Sequence, residues 1–362
     1  MFAGRKVPTG NSQNLLARVL AFPELGVIIA LVVVAGIFQS FNSVFLSRAV
    51  FTSIIQAVTF ISIIGVGQAF LLIGGQFDLS VGAVAGLAAI VSAKLMTSLG
   101  WSVPLALIGG ILFGCLLGAV NGFMVTRGGV PAFIQTLGML FVAQGLIQVI
   151  SGGNPVYPLP AVITKIGDSK FFFSLGWNAV IWIVIVIGGD FFVRKTTWGR
   201  NLYVIGGNTE VAKIVGINVR KYHMACFIFA GGLAALSGEL VMSSLAAGDA
   251  SIGGGWELTV IAGTVVGGVS LFGGLGTVAG GVLGVLLIQS VQSGLITSGL
   301  SPNFQLIAVG AILVLAVFFD VYRRKFRASM KSSLNKESAL LVKELVKEDE
   351  EVYEIPPRMD RS

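Results

Sequence analysis

The sequence predicts an all-α integral membrane protein with about ten transmembrane helices in two inverted five-helix repeats, both termini cytoplasmic. Three observations carry this prediction. First, the chain is 55% hydrophobic and 11% charged, whereas a soluble domain carries roughly 25% charged residues. Second, apolar runs of about 20 residues recur, long enough for a helix to cross a bilayer; barrel strands would alternate over about 10. Third, landmarks of the first half return in the same order in the second.

Residues 1–21 are polar, carry Arg5, Lys6 and Arg18, and are expected to stay in the cytoplasm. The run 25–38 has no small-residue cleavage site after it, so it reads as an uncleaved first span; Pro23 and Glu24 suit its first turn. Apolar runs then cover 50–73, 81–95, 104–125 and 131–150. The segment 151–176 is polar, holds Pro155, Pro158 and Pro160, and is expected to be an external loop with little structure of its own. Runs resume at 177–193, 222–246, 258–271, 277–296 and 303–319, and Arg323, Arg324, Lys325 and Arg327 close the last. The membrane domain is therefore 22–325. Residues 326–362 form a soluble tail: Leu334, Leu340, Leu341, Leu345 and Val346 share one face of a short helix, 347–354 is acid-rich, and the whole is expected to be solvated and partly disordered.

Between the sixth and seventh runs lies a basic loop, 194–221, with Arg194, Lys195, Arg200, Lys213, Arg220 and Lys221 against one acid, Glu210. Cytoplasmic loops carry such an excess. With the N-terminus inside, this loop, Arg127 and the closing cluster all fall inside; Arg48, Lys165 and Lys170 fall outside. The loop also reads as folded. Asn208 is placed to cap a helix over 209–215, and Gly216 to end it. It serves either as a docking element or as an ordinary loop obeying the charge rule.

The net charge of +7 sits at span ends and loops, so orientation explains it and nucleic-acid binding does not. Cys115 and Cys226 lie in apolar runs and read as small fillers. His223 stands alone at a span end, and no metal site is expected. There is no G-x-x-x-x-G-K-[ST] phosphate loop, so ATP hydrolysis is not expected on this chain.

The repeat rests on VPAFIQTLG (from Val130) and SPNFQLIAVG (from Ser301), which share a Pro-x-Phe start at Pro131 and Pro302. At the same offset Gly109–Gly110 matches Gly280–Gly281. FDLSVGAVAG (from Phe77) resembles WELTVIAGTV (from Trp256), placing Asp78 opposite Glu257 at a slightly larger offset. Spans two to five thus map onto seven to ten. Equivalents lie an odd number of spans apart, so the halves are inverted, a transporter pattern with the pathway at the repeat interface.

After spans two and seven the chain breaks at polar, glycine-rich stretches, Gly74, Gly75, Asp78, Ser80 and Gly82 in the first half and 251–257 in the second. Irregular backbone at membrane depth persists only where protein or water covers it. Asp78 is expected to face a cavity or to hydrogen-bond freed amides; gate element and helix cap are compatible roles for Asp78 and Ser80. Amides recur within the spans at Gln56, Gln68, Asn121, Gln135, Gln144, Gln148, Gln289, Gln292 and Gln305. With Phe133 and Phe304 they suit a passage for a neutral, hydroxyl-rich solute, since amides both donate and accept and rings pack on sugar faces. Equally, they suit helix-to-helix bonding. Asp190 and Glu239 are further intramembrane acids, Asp190 close to the cytoplasmic end of its span.

Three stretches then resemble one family, the membrane permease subunits of bacterial ABC importers for simple sugars of the ribose, arabinose, xylose and galactose type. They are GGQFDLSVGAVAGLAA (from Gly74), GRNLYVIGGNTEVAKIVGINV (from Gly199) and WELTVIAGTVVGGVSLFGGLGT (from Trp256). The likeness runs over about 25–325. Gln76 and Phe77 separate Gly75 from Asp78, where the commoner family form has one residue. The resemblance implies a pathway built from two permease chains, identical or paralogous, in the inner membrane. It implies a cytosolic ABC ATPase that carries ATP and magnesium, and a periplasmic or lipid-anchored solute-binding protein. No cofactor is implied on this chain. ATPase coupling would fall to Gly199, Arg200, Gly206, Gly207, Asn208, Glu210, Lys213 and Gly216. The pathway would involve Gly74, Gly75, Asp78, Ser80, Asn121, Phe133, Gln135, Glu257, Gln289, Gln292 and Phe304.

Two other classes compete. An ion-driven secondary transporter shares inverted repeats and broken helices, and would need an ion site near Asp78 or Glu239. A membrane-embedded enzyme would need a nucleophile-base or metal constellation, and none is visible.

Overall fold

A computed structural model describes residues 24–167, 169, 176–322, 324 and 325, and each expected apolar run in it carries a helix. The helices are α1 (Leu25–Phe41), α2 (Arg48–Ile73), α3 (Val81–Thr97), α4 (Val103–Thr126), α5 (Ala132–Ser151), α6 (Ala161–Gly167), α7 (Gly176–Lys195), α8 (Thr197–Gly207), α9 (Thr209–Ile214), α10 (Val219–Leu245), α11 (Trp256–Val266), α12 (Val278–Thr297) and α13 (Asn303–Tyr322). Among the described residues seven helices, α2, α4, α5, α7, α10, α12 and α13, are long and apolar enough to cross a membrane. Three apolar helices are shorter: α1, α3 and α11. With 11 residues, α11 extends about 16 Å, half of a 30 Å hydrocarbon core.

Helix ends follow local chemistry. Ser47 and Thr277 accept from Val50 N and Gly280 N and so cap α2 and α12. Proline opens α4, where its missing N–H costs nothing, and Gly152, at φ +67°, ends α5. Contacts divide the chain into Met1–Ala316 and Val317–Ser362. In the second unit the end of α13 is described, with Phe318 and Phe319 edge to face at 5.9 Å.

Within the first unit α10 is central and packs along α4, α3 and α2. In turn α2 packs along α12 and α11. Each of these two long helices thus lies against the short helix and the following span of the other half. Small residues permit the closest crossing. A Cβ added to Gly114 would lie 2.6 Å from the Gly231 carbonyl oxygen, and one added to Gly231 would strike the Gly114 carbonyl oxygen. Large apolar side chains face outward elsewhere on the helices, among them Val32, Leu112, Val149 and Val184, each more than half exposed. That surface suits hydrocarbon.

The segment 151–176 departs from expectation. It contains α6, whose Ile163 is buried, and Val156 exchanges backbone hydrogen bonds of 2.8 and 3.0 Å with Gly248. An apolar register within a polar loop made this anchoring possible. The expectations for 1–21, Lys170, Arg323, Arg327 and 326–362 lie outside the described residues.

Candidate functional site

At the break between α2 and α3 the chain leaves the helix through Gly75, at φ +79°, a conformation open to glycine. Asp78, buried, then organises a closed turn. Its Oδ1 accepts from Ser80 N at 2.7 Å and Ser80 Oγ at 2.6 Å, and its Oδ2 accepts from Asn121 Nδ2 at 3.1 Å. Asn121 Nδ2 also reaches Ser80 Oγ at 3.0 Å, and Asn121 Oδ1 accepts from Gln135 Nε2 at 3.2 Å. Gln68 completes the set: with its amide turned to satisfy both ends, it donates to the Asp78 carbonyl and accepts from the Asp78 N–H, both at 3.2 Å. The side chains of Asp78, Ser80, Asn121 and Gln135 thus bond one another, and Gln68 from α2 bonds the Asp78 backbone, as buried polar groups must. Ser80 occupies the cap position of α3 without capping it, because its hydroxyl is committed to Asp78 and Asn121.

The second break repeats this turn. Asp249 Oδ1 accepts from Ser251 N at 2.7 Å and Ser251 Oγ at 2.6 Å. The shift that carries Pro131 onto Pro302 carries Asp78 onto Asp249 and Ser80 onto Ser251. It also carries α2 onto 219–244, α4 onto 274–297 and the start of α5 onto Asn303. Counted by that same shift, Glu257 stands opposite Gly86, and the place opposite Asp78 falls to Asp249. The same shift pairs Gly75 with Ala246, which holds a positive φ of 55°.

The two breaks meet. The stretch from Gly248 to Glu257 runs beside α3, with Gly248 near Ala93, Ile252 near Gly86 and Gly253 near Gly82. A Cβ on Gly82 would strike the Gly253 carbonyl oxygen, and one on Gly253 would strike that of Gly82. Glu257 Oε2 lies 2.9 Å from where a Gly82 Cβ would stand. Gln289 and Gln292 bond to each other on α12 at 2.9 Å, apart from the Asp78 network. Phe133 and Phe304 occupy matching first turns of α5 and α13 and are 53% and 48% exposed. Glu239, buried, accepts from Ser92 Oγ at 2.6 Å.

The basic loop is a helical hairpin. Thr196 caps α8 through Gly199 N at 3.1 Å. Asn208 ends α8 and caps α9, its Oδ1 accepting from Glu210 N at 3.0 Å and Val211 N at 3.1 Å, and Gly216 leaves at φ +83°. Helix α8 went unseen in the sequence because it is short, carries Arg200 and Asn201 within it, and ends in Gly206 and Gly207 rather than in an apolar run. Glu210 and Lys213 pair at 2.7 Å on the exposed side. Ala212 is buried beneath α9 with Ile205 and Val219, while Ile214 is 84% exposed and Val211 and Val215 stand out beside it.

This hairpin rests on the first break. Gly206 lies so close that a Cβ would strike the Ile73 carbonyl oxygen and approach Gly274 N to 2.5 Å; Gly274 N itself donates to Ile73 O at 2.9 Å. His223 Nε2 lies 2.9 Å from the Gly74 carbonyl oxygen, and since a carbonyl only accepts, that nitrogen carries the proton. Tyr203 Oη donates to Gly276 O at 2.7 Å. Burial first, and Asp190 second, push its pKa up to about 12, so it stays a donor. Asp190 pairs with Arg194 at 3.2 Å and accepts from Ala279 N, tying α7 to the start of α12. Gly207 joins this seat, since a Cβ on Gly274 would lie 2.8 Å from its Cα and N, whereas Arg200 is exposed on the same helix.

Residues 50–317 match the family model described as the permease component of the branched-chain amino acid transport system. The chain is 35% identical to the L-arabinose ABC transporter permease protein of Azospirillum brasilense, over 79% of this chain and 84% of that one. It is 31% identical to the xylose transport system permease protein of Escherichia coli (strain K12), over 82% and 91%. It is 33% identical to the ribose import permease protein of Bacillus subtilis (strain 168), over 82% and 92%. No solved structure matches it.

Proposed function

Because the chain belongs to the family of permease components typified by the branched-chain amino acid transport system, and its curated relatives carry arabinose, xylose and ribose in their names, we propose that it moves a sugar across the bacterial inner membrane. It is a multi-pass permease subunit of an ABC importer rather than an enzyme in its own right. The observation that carries the mechanism is the seat of α8 on Ile73, Gly74 and Gly274. In this reading α9 sits in a groove of a cytosolic ATPase, which holds ATP and magnesium. A periplasmic or lipid-anchored binding protein delivers the solute, and a second permease chain, identical or paralogous, completes the pathway.

Ten membrane-embedded helices in two inverted repeats, with residues 1–21 and 326–362 cytoplasmic, are part of the proposal. The constant shift supports it, as does the reciprocal contact of Gly82 with Gly253. A residue that touches its own equivalent marks a two-fold axis, here at the place where both breaks meet. The pathway runs beside that point. Asp78 and Ser80 hold the first break in shape, with Asn121 and Gln135 supporting it. Phe133, Glu257, Gln289, Gln292 and Phe304 remain proposed pathway positions. Nucleotide states drive transport only by favouring one permease conformation over the other. The test is reconstitution with the ATPase and binding protein, with arabinose, xylose and ribose as solutes. ATP-dependent uptake of one of them is expected. Uptake that proceeds without the ATPase, on an ion gradient alone, would overturn the reading.

A further inference from the structure

Near the ends of α4 and α10 a cavity of about 650 Å³ is lined by Arg127, Arg220 and Lys221 together with Met224, Ala225 and Ile228. None of the three cations pairs with an acid among the described residues, where the ion pairs are Asp190–Arg194 and Glu210–Lys213. Arg220 and Lys221 moreover sit in the first turn of α10, which holds no acid. Cations are disfavoured there, where backbone N–H groups already present positive charge. Three exposed, unpaired cations beside a helix start make a place where an anion is favoured.

The other wall is apolar, and it continues. A second cavity, of about 520 Å³, opens beside the first and shares Ala225 with it. Phe70, Phe192, Trp198 and Phe229 form its lining, and Val184, 64% exposed, stands at its outward edge. A soluble anion would have no use for this second chamber. A molecule with an anionic head and a hydrocarbon tail fits both, and the junction lies where span ends meet the basic face.

We propose that this double cavity is a binding site for one anionic phospholipid. Its phosphate is held by Arg127, Arg220 and Lys221, and an acyl chain lies past Ala225 against Phe229 and Phe70. Basic pockets between helices on a cytoplasmic face take such headgroups. The site borders α8 through Trp198, which stacks on Tyr222 at 5.0 Å, so the lipid packs against the root of the basic hairpin.

Native mass spectrometry of the full-length permease, delipidated in mild detergent, tests this. Phosphatidylglycerol and phosphatidylcholine with the same acyl chains are titrated, with glycerol 1-phosphate as the headgroup alone. Phosphatidylglycerol should bind at least tenfold tighter than phosphatidylcholine. Arg127→Gln, Arg220→Gln and Lys221→Gln together should weaken it by about 100-fold, from about fivefold per cation. Ala225→Trp leaves the cations in place and should weaken both lipids without changing glycerol 1-phosphate binding; it carries the test if the triple variant does not fold. Equal binding of the two lipids, or unaltered phosphatidylglycerol binding in either variant, overturns the proposal. So does glycerol 1-phosphate binding as tightly as the lipid, which would make the site one for a free phosphate.

Discussion

Replacing Ile214 by alanine should separate docking from folding. Its side chain is 84% exposed, whereas Ala212 on the same short helix is fully buried. Removing it costs the permease fold little, because almost no surface is covered there. In a complex the arithmetic reverses. If Ile214 becomes fully buried in the ATPase, the lost methyl and methylene groups amount to about 2 kcal/mol at ~0.8 kcal/mol per carbon. That is about a 30-fold weaker association. The assay is microscale binding of the labelled ATPase to the permease in lipid nanodiscs, with thermal unfolding of the permease measured alongside. The expected result is a roughly 30-fold rise in Kd with an unfolding midpoint within a degree or two of wild type. An unchanged Kd would refute the reasoning, because an isoleucine so exposed would then contribute nothing to the interface. A lowered midpoint would show that the packing beneath α9 had been misjudged.

Three further outcomes follow from the same geometry. Replacing Glu210 and Lys213 by alanine removes an exposed ion pair that stabilises the fold by well under 1 kcal/mol; unfolding should be unchanged while ATP hydrolysis no longer responds to solute in the reconstituted importer. Asn121→Leu leaves Asp78 Oδ2 and the Gln135 amide without their partner; a loss of about 2 kcal/mol is expected for a buried acceptor left unsatisfied, read as a lowered unfolding temperature in detergent. Asp249 is held below the usual carboxylate range by the Ser251 hydroxyl first and the Ser251 N–H second. Its depressed pKa gives stability that is fully present above about pH 5 and fades as pH falls through the folded-state value. Ser251→Ala should therefore lower the unfolding temperature slightly at pH 7, and the difference from wild type should shrink as the pH is lowered below the usual carboxylate range.

Much of the helical frame was legible because hydrocarbon imposes a simple rule: a crossing segment must be apolar and satisfy its own backbone. The runs at 50–73 and 104–125 became α2 and α4 within two residues at either end. The short helix after Asn208 was equally legible, since a capping side chain and a terminal glycine act locally. What escaped depends on distance between segments. The Asp249 turn is a three-residue Asp-x-Ser unit in a chain rich in serine, and only its match in hydrogen bonding to Asp78 singles it out. The constant shift from Pro131 to Pro302 pointed to it, but the similarity of FDLSV to WELTV is louder in sequence than one aspartate and one serine. His223 read as a lone histidine because its partner, the Gly74 carbonyl, is a backbone atom 149 positions away. Gly206 likewise gains its meaning only from the carbonyl it faces.

These long-range contacts also bear on how force would travel. A helix seated by side chains can slide by changing rotamers; one seated on backbone cannot, because the opposing atoms have nowhere to go. Gly206 meets Ile73 O and Gly274 N without an intervening side chain, and Ile73 O already accepts from Gly274 N. The end of α2, the turn before α12 and the end of α8 thus form a backbone junction. His223 adds the start of α10 to it through Gly74, and Tyr203 adds Gly276. A displacement of α9, joined to α8 by the single residue Asn208, therefore reaches the entries to both halves at once. Equal delivery to both halves is what the proposed rocking motion, about an axis at Gly82 and Gly253, would require. A drive applied to one half alone would instead shear the Gly82–Gly253 contact, where neither carbonyl leaves room for a methyl group.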